Sequence, residues 1–245
     1  MTRRRVPPRT ASRWWQQEWG GAPVWAVAVA GLAVAGLLIG AYTARPAVGA
    51  AAPQSAPVAL FLGDSYTAGA GASDDTKAWA AVVASERGWV AENLARGGTG
   101  FTGSVAGAAA RAACGREECP SFVRMAVQGA AVVPDIVIIS GGRNDAALSD
   151  AATEQGILQL FDAVAGTYPD SMVFVTNVLW DDEDPPASVA VMSTQIQQHA
   201  ERVGAVFLDL GQPLAGDEAS LAADGVHPND LGHAKIAEAL LAALP

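Results

Sequence analysis

The stretch Val58-Ala-Leu-Phe-Leu-Gly63-Asp64-Ser65 constrains this chain more than any other. Its five consecutive apolar residues are too few for a helix and show no alternation, so they read as a fully buried strand that stops at the glycine. A strand of that kind belongs in a sheet covered on both faces. A serine just past it sits at the carboxyl edge, where open α/β sheets bind their ligands. A serine hydroxyl is a weak nucleophile unless a base takes its proton. The stretch therefore calls for a histidine, an orienting carboxylate and donors for an oxyanion elsewhere in the chain.

The sequence that follows supplies a sheet. Residues 89–94, 135–139, 172–179 and 205–210 read as four further strands. Between them lie helical patterns. Trp79, Val82 and Val83 mark one over 76–87, and Ile157, Leu160, Phe161 and Val164 mark another over 150–168. Val189, Met192, Ile196, His199 and Val203 mark a third, and Ile236, Leu240 and Leu244 a last one over 231–244. Strands alternating with helices predict an α/β fold: a three-layer αβα sandwich around a parallel five-stranded sheet, joined by right-handed crossovers.

Charge divides the chain. Residues 1–45 hold six arginines against the single acid Glu18, which leaves nine basic and 24 acidic side chains beyond them, a formal −15. A body so acidic repels polyanions, and a nucleic-acid role is excluded. Between the two lies an uncharged run, residues 19–44, whose centre, residues 23–42, is about the ~20 residues a bilayer crossing needs. With arginines on its N-terminal side, the reading is a basic cytoplasmic N-terminus (1–22), a transmembrane anchor or signal segment (23–43), a linker (44–57) and an exported domain (58–245). The alternatives are a buried core helix, or a signal cleaved near Ala50 after Val48-Gly49. Cys114 and Cys119 enclose four residues, and outside the cytoplasm such a pair is read as a disulfide staple. No second cysteine pair or histidine cluster exists to complete a metal site.

Three histidines compete for the role of base. His199 falls at helical spacing among apolar residues and reads as a core or helix-flank side chain. His233, inside the last helix, reads as a surface residue. His227 lies in a loop before that helix, after Asp224-Gly225-Val226 and ahead of Pro228. An aspartate three residues upstream can bend back to accept the Nδ1 proton, which leaves Nε2 free to face a serine. The alternative for Asp224 and Asn229 is turn and cap duty. Asn144, after the third strand, and Gly98, after the second, can supply oxyanion donors beside the Ser65 N–H, with Gly97 and Gly100 flanking Gly98.

Gly63-Asp64-Ser65, Gly98 within Asn93-Leu-Ala-Arg-Gly-Gly98-Thr-Gly, Gly142-Arg143-Asn144-Asp145 and Asp224-Gly-Val-His227 resemble the four ordered blocks of the SGNH (GDSL-type) hydrolase family. The resemblance runs from about Val58 to Leu244. It implies a flavodoxin-like sandwich and metal-free ester hydrolysis without a cofactor. Ser65 would be the nucleophile, His227 the base and Asp224 its orienter, with the Ser65 N–H, the Gly98 N–H and the Asn144 amide as the oxyanion hole. Tyr66 stands where the family name has leucine, a change not expected to affect chemistry. Two other hydrolase patterns fail: Thr67 breaks Gly-x-Ser-x-Gly, and no His-Glu-x-x-His is present.

The expectation is an extracytoplasmic, membrane-tethered serine esterase acting on small-molecule or glycan esters, O-acetyl sugars or lipid esters among them. Its alternatives are an acyltransferase with a sugar-hydroxyl acceptor and a non-catalytic envelope-binding module. Asp181-Asp-Glu-Asp184 is expected to be a solvated acidic loop, and Trp180 and Phe101 either wall a pocket or pack.

Overall fold

The computed structural model describes residues 18–43 and 55–245. They belong to two compact units, one ending at Gln54 and one running from Ser55 to Pro245. In the first, Glu18–Trp19 pairs with Ala22–Pro23 ahead of a helix, Val24–Thr43, whose side chains are described as far as Leu38. Among the described residues no helix is long and apolar enough to cross a membrane, so the transmembrane helix expected over 23–43 is not supported. Residues 1–17, and 44–54 of the expected linker with its cleavage point, lie outside the described residues.

The second unit is built on five parallel strands: β1 (Val58–Gly63), β2 (Val90–Asn93), β3 (Ile136–Ser140), β4 (Met172–Thr176) and β5 (Val206–Leu208). Their order across the sheet is β2-β1-β3-β4-β5, the flavodoxin-like arrangement. Strand β1 lies between β2 and β3, with Phe61 opposite Asn93 and Ile138, and Gly63 opposite Ser140. Because side chains alternate across a strand, the apolar run of β1 divides between two cores. Leu60 and Leu62 join one and Ala59 and Phe61 the other.

Helices cover both faces. On the Leu60 side pack α4 (Phe122–Gln128), α5 (Asp150–Thr167) and α6 (Ala187–Val203) through Phe122, Ile157, Leu160 and Met192. On the Phe61 side pack α2 (Trp79–Arg87) and α7 (Asp230–Ala243) through Trp79, Val83, Ile236 and Leu240. Burying each such side chain contributes about 1.5–3 kcal/mol. The expected three-layer sandwich is the fold. A four-residue helix α1 (Ser65–Ala68) follows β1, and α3 (Gly107–Cys114) is tied by a Cys114–Cys119 disulfide to a ribbon pairing Val105–Ala106 with Glu118–Cys119.

Two boundaries differ from the expected ones for a physical reason. Helix α2 starts at Trp79 and not at Thr76, because Asp74 accepts the Thr76 N–H and caps a separate tight turn, Asp75–Lys77. Strand β4 stops at Thr176 and not at Leu179. Beyond it the Asn177 side chain bonds the Leu210 N–H at 2.8 Å and the Gly211 carbonyl at 2.7 Å. Gln212 accepts from the Trp180 N–H and donates to the Val178 carbonyl. Side chains replace the strand ladder there, a substitution that apolar patterning does not reveal.

Candidate active site

Strand β1 must end in glycine. A Cβ on Gly63 would stand 2.0 Å from the Ser140 carbonyl oxygen and 2.6 Å from Thr67 Oγ1. Asp64, buried, then caps α1, with Oδ1 accepting the Tyr66 N–H at 3.0 Å and Oδ2 the Gly142 N–H at 3.2 Å. Burial pushes its carboxyl up to about 6 despite those donors and the Arg143 charge. Ser65 opens α1 at the carboxyl edge of the sheet. The helix is pinned from below, where Thr67 Oγ1 donates to the Ser140 carbonyl (2.7 Å) and Asn93 Nδ2 to the Thr67 carbonyl (2.7 Å). Among the described residues the Ser65 hydroxyl is committed to no side-chain or backbone partner.

Strands β2, β1 and β3 are neighbours, so the loops after them lie side by side. Of the three glycines left open by the sequence, Gly100 already donates its N–H to the Gly103 carbonyl. A Cβ on Gly97 would meet the Ala113 carbonyl oxygen at 2.6 Å. Gly98 is exposed and holds φ +74°, a left-handed turn that favours glycine. Asn144 is exposed too. One of its amide hydrogens goes to the Thr99 carbonyl at 2.9 Å, which orients the other and ties the third block to the Gly98 loop. Next to it Asp145 is buried, accepts the Phe101 N–H at 3.0 Å, and is pushed up to about 6 by burial.

His227 Nδ1 lies 2.6 Å from Asp224 Oδ2, and Asp224 Oδ1 accepts the backbone N–H groups of Val226 and His227, each at 3.0 Å. The His227 side chain first, and then those N–H groups, hold the Asp224 carboxyl well below the usual carboxylate range. The turn docks on the helix that carries Ser65. Tyr66 Oη donates to the Val226 carbonyl at 2.6 Å, and the Tyr66 and His227 rings meet edge-on with centroids 6.2 Å apart. A Cβ on Gly71 would stand 2.2 Å from the Pro228 oxygen and 3.1 Å from His227 Cβ. Among the described residues no hydrogen bond joins Ser65 Oγ to the imidazole. The contact is made by their sequence neighbours.

The remaining sequence readings divide. His199 is buried on α6 beside Glu154 and Arg202, in keeping with a structural side chain. His233 corrects its surface reading: it is fully buried, with Nδ1 accepting the Trp79 N–H at 3.3 Å and Nε2 facing the Ala70 carbonyl at 3.1 Å. It faces inward because α7 packs across the start of α2, and burial holds its imidazole below the ordinary value. Asp182, Glu183 and Asp184 are exposed, as expected of a solvated acidic loop, but Asp181 is buried 2.9 Å from the Arg143 guanidinium. Phe101 packs edge-on against Phe122 in the core, whereas Trp180 lies over Arg143. Arg143 and Tyr66 were missed as site residues. Their signal was a polar ring where the family name has leucine and an arginine just before Asn144.

Residues 61–235 match the model of the GDSL-like Lipase/Acylhydrolase family. The chain is 32% identical over 193 residues to the GDSL lipase Rv0518 of Mycobacterium tuberculosis, an alignment spanning 74% of this chain and 78% of the relative. Among solved structures it resembles the psychrotrophic esterase EstA from Pseudoalteromonas (TM-score 0.59, 17% identity, 76% of this chain and 96% of the other). It also resembles a family two carbohydrate esterase from Clostridium thermocellum (TM-score 0.59, 20% identity, 76% and 62%). A third likeness is to SsfX3, a salicylyl-acyltransferase from a tetracycline biosynthetic pathway (TM-score 0.55, 18% identity, 78% and 55%). At these identities the solved structures show the fold alone.

Proposed function

The chain belongs to the GDSL-like lipase/acylhydrolase (SGNH) family and is a hydrolase, and on that premise we propose that it cleaves carboxylic esters outside the cytoplasm with Ser65 as nucleophile. Ser65 Oγ attacks the ester carbonyl while its proton passes to His227 Nε2, and Asp224 holds the imidazole with Nδ1 protonated. The oxyanion is received by the Ser65 N–H, the Gly98 N–H and the free amide hydrogen of Asn144. Collapse returns the proton from Nε2 to the departing alcohol. Water, deprotonated by the same nitrogen, then releases the acid and restores the serine.

The observation that carries this reading is the Asp224–His227 pair at 2.6 Å, on a turn hydrogen-bonded by Tyr66, the residue after Ser65. The test is labelling by a fluorophosphonate probe together with turnover on nitrophenyl esters of short and long acyl chains. Wild-type protein should label and turn over, and Ser65→Ala should do neither. Labelling that survives the substitution would assign the nucleophile elsewhere.

Acyl esters of carbohydrates are the substrate class placed first, ahead of lipid esters. The exported setting favours them, and its support is the Cys114–Cys119 disulfide together with the arginine-rich start and uncharged run. Protease accessibility of the domain on intact cells tests the location. Product analysis with a glycan acceptor separates hydrolysis from acyl transfer to a sugar hydroxyl.

A further inference from the structure

Arg143 is held on every side. Its guanidinium carbon lies 4.8 Å from the Tyr66 ring centroid and 4.5 Å from the Trp180 ring centroid. Nη2 is 2.9 Å from Asp181 Oδ1, and Nη1 donates to Tyr66 Oη. Both charged side chains of this pair are largely withdrawn from solvent. A buried ion pair costs desolvation and adds little to stability, so what this pair supplies is a fixed geometry. Only arginine offers flat faces to two rings while placing its charge against a carboxylate and donating to a phenol.

The far end of the cluster is the base. Tyr66 Oη takes a hydrogen bond from Arg143 and gives its own to the Val226 carbonyl. Burial holds the phenol well above the usual tyrosine range, which keeps it a donor. The peptide beyond that carbonyl ends in the His227 N–H, bound to Asp224 Oδ1, while Asp224 Oδ2 holds the imidazole. Asp224, Gly225 and Val226 are themselves exposed, so little packing fixes them. A leucine at position 66 could fill space but could not grip the carbonyl.

We propose that Tyr66 and Arg143 are positioning residues: the buried Asp181–Arg143 pair fixes the Tyr66 hydroxyl, which grips the Val226 carbonyl and sets the aim of the His227 imidazole toward Ser65. The inference rests on the assignment of Ser65 and His227 as nucleophile and base. Neither positioning residue touches the reacting atoms.

The test is Tyr66→Phe, which keeps the ring and removes only the hydroxyl, with Asp181→Asn as a second, isosteric variant. Each is compared with wild type by kcat per probe-titrated active site, by KM, and by the low-field proton NMR resonance of His227 Nδ1–H. Loss of one net hydrogen bond predicts about a tenfold fall in kcat with KM within about twofold. The imidazole proton should broaden by exchange with water in both variants, while thermal unfolding moves little. Unchanged kcat and an unchanged resonance in folded Tyr66→Phe protein would overturn the proposal. The resonance needs no substrate. A wild type that hydrolyses nothing would therefore end the esterase reading, and the NMR comparison would still decide whether the cluster positions His227.

Discussion

Asp224 Oδ2 and His227 Nδ1 stand 2.6 Å apart across three residues of one turn, while Asp224 Oδ1 gathers two backbone N–H groups of the same turn. Asp224 thus shapes the loop and orients the ring with one carboxylate. Asp224→Asn keeps the backbone bonds and turns an amide, able to donate, toward Nδ1. The tautomer that leaves Nε2 basic is then no longer enforced. The expected outcome is a fall in kcat of about 10²–10⁴ with KM little changed and the fold intact by circular dichroism. A loss below about fivefold would remove Asp224 from the mechanism.

Asn144 faces solvent, and among the described residues the one hydrogen bond of its side chain is to the Thr99 carbonyl. Its removal should therefore spare the fold and strike the transition state. Asn144→Ala is expected to lower kcat by about 10²–10³, as for other side-chain oxyanion donors. The denaturation midpoint should stay close to that of wild type. A near-normal rate would show that the oxyanion is held by backbone N–H groups alone.

Burial pushes the Asp145 carboxyl up to about 6, against about 3.9 in an unfolded chain. Between those values the folded state binds more protons than the unfolded one. Its contribution to stability accordingly falls as pH rises from about 4 to about 6 and is flat above. Asn at this position does not titrate and can still accept the Phe101 N–H. Relative to Asp145→Asn, wild type should lose about 2–3 kcal/mol between pH 4 and pH 7, read from urea unfolding at each pH. A constant gap between the two proteins would mean that the carboxyl ionises in place as readily as in water.

Gly63 is a steric requirement. A methyl at that position would sit 2.0 Å from the Ser140 carbonyl oxygen, where β1 and β3 run side by side. Gly63→Ala must push the strands apart or displace Thr67, whose hydroxyl bonds that same oxygen. The expected cost is about 3 kcal/mol, measured as a lowered urea midpoint, together with loss of turnover as α1 shifts. Full stability in this variant would contradict the close approach.

The sheet was legible because its signals are local. An unbroken apolar run, as in β1, and amphipathic spacing, as in α5, each report burial of their own segment. The turn that holds Asp224 against His227 was legible for the same reason, since three residues span it. Order along the chain also placed Ser65, Gly98 and Asn144 after strands, and a parallel sheet carries all such positions to one edge.

What only the tertiary structure decided are contacts between distant segments. Whether a histidine on the last helix faces solvent or core depends on what packs over it, and His233 met the start of α2, 154 residues earlier. Asp181 looked like part of a solvated acidic run until Arg143 came against it from the loop after the neighbouring strand. The grip of Tyr66 on the Val226 carbonyl spans 160 positions. Periodicity records how each segment divides between core and water, and it carries no record of which partner fills the space on the other side.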